Sequence, residues 1–224
     1  MAGSSRNLIF NSELIGAFSL ATNKVCFVCK GIENKNKRIF EETLESEVKE
    51  ITISESSLIG IFMVANSRGA LLPWSATKEE LDEIKSYFEE VEILKTKFNA
   101  LGNLISANSN GAVLHADFKE EEIELIKDVL KVKQVVTLPK ENRKLASFLV
   151  VNDKGFLASP FFDETALNIF REIFGVEGDV GTVNRGSFAI KLGIVANDKG
   201  VVVGALTTGA EIAKIEQIFY LAKN

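Results

Sequence analysis

The chain writes one short pattern several times: Val195-Ala196-Asn197-Asp198-Lys199-Gly200-Val201. Earlier versions are Val64-Ala65-Asn66-Ser67-Arg68-Gly69-Ala70, Ser106-Ala107-Asn108-Ser109-Asn110-Gly111-Ala112 and Val150-Val151-Asn152-Asp153-Lys154-Gly155-Phe156. In each, an apolar or small run reaches Asn, two polar residues follow, and an apolar run resumes after Gly. This is the grammar of a hairpin: the Asn side chain opens a type I turn, and Gly is expected at the left-handed position that returns the chain. The glycines lie 42, 44 and 45 residues apart, and Val25 stands 44 residues before Gly69. The segment around Val25 reads as a fifth, degraded copy, with Asn23 expected to supply the left-handed residue that Val25 cannot. Five units of about 44 residues account for the 224 positions, with boundaries near 10–55, 56–98, 99–141, 142–183 and 184–224.

Each unit is expected to hold a strand of about seven residues, the hairpin, a second strand, an amphipathic helix and a connecting strand. Thr77 with Glu80 forms a capping box for a helix reaching Phe88,. Asp117 with Glu120, Asp163, and Thr208 with Glu211 start the next three helices, the Asp163 helix being stopped by Gly175,. Those caps follow their turn glycines by 8, 6, 8 and 8 residues. In the first unit the highly charged 34–50 segment is expected to hold one short helix. Connecting strands are expected at Val91–Phe98, Val132–Leu138 and Val180–Val183.

A unit this small cannot bury both its sheet and its helix alone, so neighbours must stack. An open array needs polar end units, yet the last unit is among the most regular and apolar. The pattern therefore predicts an α/β fold, a five-bladed α/β-propeller closed into a ring as a single domain. A hydrophobic content of 46% is enough for such a core, and the net charge of −5 argues against a general polyanion binder while leaving room for a local basic patch,. With no apolar run near 18 residues and no signal-peptide core at Met1–Ser5, the expectation is a soluble, cytoplasmic protein without membrane contact,.

Counting nine residues back from each turn position gives Gly16, Gly60, Gly102, Ala146 and Lys191. A seven-residue strand spans roughly 23 Å, which places these residues at the rim opposite the hairpins. Four of the five are small, as expected where strands crowd or where a partner approaches closely. Asn103 and the loop Asn184-Arg185-Gly186 belong to the same rim. Arg suits a planar or bidentate partner group; the loop reads equally well as an inter-blade linker. Catalytic motifs are thin. Cys26 and Cys29 are spaced as C-x-x-C but sit in a strand pattern, where they would point to opposite faces. His115 is the single histidine, with no nucleophile or orienting acid nominated beside it,. Thr207-Thr208-Gly209 reads as a helix cap before it reads as an anion site. No cofactor or metal motif is present.

Asn99-Ala100-Leu101-Gly102-Asn103 with Asn108, Gly111, Ala112 and His115, and Gly181-Thr182-Val183-Asn184-Arg185-Gly186-Ser187, resemble the signature segments of the translation initiation factor 6 family of archaea and eukaryotes. Asp128–Val132 and Asn197-Asp198 agree as well, and the likeness spans all five repeats. The chain is most similar to the short archaeal form. The resemblance implies the pentein fold and a non-catalytic, monomeric protein whose partner is the large ribosomal subunit. It would bind that subunit's intersubunit face, on ribosomal protein near the sarcin–ricin loop and adjacent rRNA, and so prevent joining of the small subunit. The residues carried over as ribosome-binding are Gly16, Gly60, Gly102, Asn103, Asn184, Arg185 and Gly186. The sequence departs from the family at Ala116, at Leu206 and at Lys191. Other penteins modify guanidino groups through a late cysteine nucleophile, but this chain has no cysteine after Cys29. A third reading is a propeller that binds some other assembly.

Overall fold

A computed structural model describes residues 3–140 and 146–220. After β1 (Ser4–Asn7), the first blade runs through a helical turn α1 (Ile15–Phe18), β2 (Ser19–Ala21), β3 (Val25–Cys29), α2 (Asn34–Leu44) and β4 (Glu47–Ile51). The second is α3 (Ile59–Phe62), β5 (Val64–Ala65), β6 (Gly69–Pro73), α4 (Lys78–Lys85) and β7 (Glu90–Leu94). The third has a tight turn at Leu101–Asn103, then β8 (Ile105–Ala107), β9 (Gly111–Leu114), α5 (Glu120–Leu130) and β10 (Gln134–Thr137). The fourth follows with a turn at Ala146–Phe148, β11 (Leu149–Val151), β12 (Phe156–Ala158), α6 (Glu164–Phe174) and β13 (Gly178–Val180). The fifth is α7 (Ile190–Gly193), β14 (Ile194–Ala196), β15 (Val201–Gly204) and α8 (Gly209–Tyr220).

Every blade is a three-stranded sheet whose middle strand pairs antiparallel with the first and parallel with the third. The fifth blade takes its third strand from the other end of the chain. β1 pairs parallel with β15, from Ser4 opposite Val201 to Asn7 opposite Gly204. This strand lies ahead of the first expected repeat, and it closes the ring. The core lies between blades: α2, α5, α6 and α8 each pack on the sheet of the blade before their own. That double cover explains why the middle strands are apolar throughout, as in the fully buried Val25–Cys29,. Cys26 and Cys29 are both fully buried there, and burial pushes the Cys29 thiol up to about 11.

The Asn residues of the repeat do more than open a turn. Asn108 Oδ1 accepts the N–H groups of Asn110 (2.9 Å) and Gly111 (3.1 Å) in its own hairpin. Its Nδ2 donates to the carbonyl of Asn152 in the next hairpin (3.2 Å) and to Phe174 at the end of α6 (2.9 Å). Asn66 donates likewise to Asn108 and Leu130, and Asn197 to Thr22 and Leu44, while Asn152 donates to Asn197. The hairpins form a chain around the ring, each handed to the next.

The turn glycines have a different role from the expected one. Gly69, Gly111, Gly155 and Gly200 are not left-handed, and neither is Asn23. A Cβ on Gly69 would fall 1.8 Å from the Val129 carbonyl oxygen, and one on Gly200 1.9 Å from that of Thr43. Glycine is needed because the last turn of the neighbouring helix lies directly on the hairpin. Where Thr22 and Val25 replace Asn and Gly, the helix that would meet Val25 is shortened. α4 has 8 residues, whereas α2, α5 and α6 have 11 and α8 has 12.

Other expectations shift in ways that make the repeat more regular. The inner seven-residue strand is instead a helical turn followed by two or three extended residues, so the rims are closer together than an extended chain would put them. The third helix is capped by Lys119, whose N–H is accepted by Glu122 Oε2 at 2.8 Å, rather than by Asp117. Lys119 follows Gly111 by 8 residues, the interval seen for the Thr77, Asp163 and Thr208 caps. The first unit holds a full helix, and the second helix stops short of Phe88. The connecting strands are shorter than expected, at Glu90–Leu94, Gln134–Thr137 and Gly178–Val180, the last starting two residues earlier than expected. The expected boundary at 141/142 lies outside the described residues.

Replacing Asn108 with Ala removes the acceptor of two hairpin N–H groups and the donor to the Asn152 carbonyl, while the Phe174 carbonyl keeps Asn110 Nδ2. We expect a loss of roughly 2–4 kcal/mol in urea unfolding at unchanged m-value. A loss under about 0.5 kcal/mol would show that the hairpin chain is ornamental.

Candidate functional site

The topology separates two rims. Each first strand leads from its helical turn into an Asn hairpin and the second strand returns, so one rim carries hairpins and helix C-termini. The other carries the helical turns, the helix N-termini and the loops leaving the second and third strands.

On that second rim, Asn184, Arg185 and Gly186 have φ values of 50°, 62° and 94° between a Val183–Ser187 bridge. Two successive non-Gly residues in the left-handed region are unfavourable unless held from outside. Glu211, in the first turn of α8, holds them. Its carboxylate accepts the N–H of Arg185 (3.2 Å), of Gly186 (2.8 Å) and of Thr208 (2.7 Å), and the hydroxyl of Thr182 (2.8 Å). Burial alone would raise the Glu211 carboxyl, but these donors bring it below the ordinary glutamate range. Glu80 does the same for Ser54 and Glu55 in the second blade, at 2.8 and 2.9 Å. Thr208 is thus part of a helix cap, its hydroxyl also accepting the Glu211 N–H.

The expected site residues divide. Asn184 is a joint: Nδ2 donates to the Glu13 carbonyl (3.1 Å) and Oδ1 accepts from the Thr207 hydroxyl (3.1 Å), tying the fifth blade to the first. Arg185 and Gly186 are exposed, and the Arg185 guanidinium makes no ion pair among the described residues. Asn103 is partly exposed in its turn, with Oδ1 shielded and without a hydrogen-bond partner among the described residues. Gly16, Gly60 and Gly102 are buried and offer no surface to a partner. Their smallness serves the ring: Cβ atoms there would fall 1.9, 2.0 and 2.1 Å from the carbonyl oxygens of Lys191, Gly16 and Gly60 in turn. His115 is buried and structural, with Nε2 3.1 Å from Ser106 Oγ.

Lys191, fifth in that ring, reaches across it, and its Nζ donates to the Gly102 carbonyl. It lines a central cavity of about 80 Å³. Burial lowers its ammonium from 10.5 to about 8.

The sequence reading missed the apolar side chains of this rim. Among the described residues the exposed large hydrophobics are Phe10, Leu14, Trp74, Phe161, Phe188 and Leu206. All six follow a second or third strand or precede a helical turn, so all lie on the rim opposite the hairpins. Phe161 sits edge-on to Phe188 (ring centroids 4.7 Å apart) and to Phe148 (5.4 Å), joining blades four and five. Phe10 is 53% exposed at a φ of 51°. The available signal was position: each of these six stands outside every helical stripe and every strand alternation.

The eIF-6 family model matches residues 4–218. The chain is 35% identical over 210 residues to translation initiation factor 6 of Pyrobaculum arsenaticum, covering 94% of this chain and 96% of the relative. It is 38% identical over 213 residues to the Pyrococcus abyssi protein of the same name, covering 92% and 94%. The chain belongs to the eIF-6 family. Among solved structures it is similar to the N-terminal domain of ArgZ, an arginine dihydrolase from the ornithine–ammonia cycle in cyanobacteria. That likeness has a TM-score of 0.52 at 12% identity, covering 80% of this chain and 73% of that one, and it shows the shared pentein fold. Two of the three residues noted as departures from the eIF-6 pattern now have places. Leu206 adds to the apolar rim, and Lys191 closes the centre of the ring.

The Lys191 amine loses its proton near pH 8 in the folded eIF-6 ring and near 10.5 when unfolded. Between those values the unfolded chain binds more protons, so stability rises with pH through that window. In denaturant titrations at pH 7.5 and 10, wild type should gain on Lys191→Met as pH increases. A parallel response of the two proteins would show that the amine is well solvated.

Proposed function

We propose that this protein is a translation initiation factor that binds the large ribosomal subunit on its intersubunit face. By occupying that face it prevents premature association with the small subunit, and the same binding gives it a role in large-subunit biogenesis. The relatives' name, translation initiation factor 6, supports the first part. The observation that carries the rest is the collection of exposed apolar side chains on a single rim beside Arg185, which makes no ion pair among the described residues. Steric exclusion needs no reacting group, only a rigid surface burying on the order of 1,200 Å² or more in total. A closed ring with a preordered left-handed loop meets that need at little ordering cost. Aromatic and Arg anchors are the residue types that dominate such contacts. The homologues point to a non-enzymatic factor, and both cysteines are sealed inside β3.

Sedimentation of ribosomal subunits at low magnesium tests this reading. The protein should migrate with the large subunit and deplete the joined ribosome peak. Arg185→Glu combined with Phe188→Asp should weaken that binding by about tenfold or more while the protein stays folded by far-UV circular dichroism. His115→Ala should leave binding intact. Absence of the protein from the large-subunit fraction would sink the proposal.

A further inference from the structure

Trp74 is the only tryptophan in the chain and is 57% exposed, although tryptophan is seldom left so open,. It stands at the end of β6 on the same rim, over an open cavity of about 340 Å³ between the second and third blades. Cavities of ~300 Å³ and above are of ligand-binding size. Lys95, Lys97 and Lys119 line its walls, all three exposed. Lys95 makes no ion pair among the described residues, Lys97 sits 5.0 Å from the Phe98 ring centre, and Lys119 has one solvent-exposed contact to Glu121 at 3.6 Å. The two carboxylates of the lining are Asp117 and Glu122. Glu122 is buried, with Oε2 accepting the Lys119 N–H, so it is turned to its own helix cap. A flat aromatic face ringed by flexible ammonium groups is the arrangement that holds a stacked base with its phosphates.

We propose that this cavity binds single-stranded RNA, one base stacking on Trp74 while Lys95, Lys97 and Lys119 meet the flanking phosphates. The proposal rests on the ribosome-binding reading for its biological source of RNA, although the chemistry stands on the cavity itself. The site adjoins the rest of the proposed docking surface: Ser75 Oγ donates to Asn99 Oδ1 at 2.6 Å in the segment leading to Asn103. It also gives an acidic chain a local place for a polyanionic partner, since three lysines face two carboxylates in this lining.

The lone tryptophan makes the test direct, since intrinsic fluorescence reports on Trp74 alone. An eight-nucleotide single-stranded oligoribonucleotide should quench it, with a log–log salt slope of roughly −2 for three phosphate contacts. Lys95→Glu with Lys97→Glu should weaken binding about tenfold or more. By fluorescence anisotropy of labelled oligonucleotide, Trp74→Ala should bind weakly and Trp74→Phe should retain most of the affinity. Absence of quenching overturns the proposal. So does equal affinity for a blunt RNA duplex, which would mean backbone attraction without stacking. Competition by a glutamate-rich peptide at equal concentration would assign the cavity to an acidic protein segment instead. Co-sedimentation with large subunits separates the two claims. If wild type still co-sediments but RNA does not bind, the cavity proposal alone fails; if RNA binds but wild type never co-sediments, the ribosome reading fails and the cavity stands.

Discussion

The ring rests on the amide side chain of the hairpin Asn. Its oxygen closes the turn locally while its nitrogen reaches two carbonyls of the next blade, as Asn108 does with Asn152 and Phe174. A carboxylate could take the first role and lacks the donors for the second; a hydroxyl can also close the turn, as Thr22 Oγ1 does by accepting the N–H groups of Lys24 and Val25, but its one donor is spent on the Val25 carbonyl. Each such Asn is nearly fully buried, and its bonds to the next blade are buried too, so their loss carries much of the desolvation cost,. The glycine three residues on follows from the same contact, because a helix end drawn onto the hairpin leaves no room for a Cβ. Thr22 and Val25 mark the one blade where both residues are exchanged, and there the facing helix is shortened. The three changes belong together physically.

Locking one rim in this way leaves the other to vary. The hairpin rim is committed to inter-blade bonds, including Asp153 to Ser109 and Asp198 to Asn23. The opposite rim needs small residues at four of its five axial positions and, at Ser54–Glu55 and Asn184–Gly186, a carboxylate behind the left-handed loop. Glu80 and Glu211 show how the scaffold preorders such a loop: a single side chain caps a helix and holds a strained backbone beside it. The outer residues of that rim are then free to be Phe, Leu, Trp or Arg. In a fold shared with an arginine dihydrolase, the centre of this ring is narrow and crossed by Lys191. The open chemistry is on the face.

Much of the architecture was legible from residues alone, because the signals are local. The hairpin Asn accepts from N–H groups two and three residues on, so its pattern survives in sequence, and the Thr77–Glu80 and Asp163 caps are likewise read within one turn. The seven-residue inner strand was misread, since an apolar run of that length carries no period to tell a helical turn from extended chain. Lys119 was missed as a cap for want of a typical capping side chain, although the spacing from Gly111 pointed to it. At the site, Arg185 and Gly186 are exposed on the rim, as the polar loop sequence leads one to expect. The burial of Gly16, Gly60 and Gly102 was not legible, because the close backbone approach that the ring makes there comes from a neighbouring blade.

The sequence by itself determined the number of blades, the order of elements within a blade and which faces are apolar, since hairpin and cap chemistry act within a few residues. Only the tertiary structure decided why the hairpin glycines are glycine, where the fifth blade finds its third strand, and which apolar residues stay in water. Those answers depend on atoms brought together from positions as distant as Ser4 and Val201. Whether Phe188 is core or contact surface depends on what the closed ring happens to cover, and a linear pattern carries no record of that.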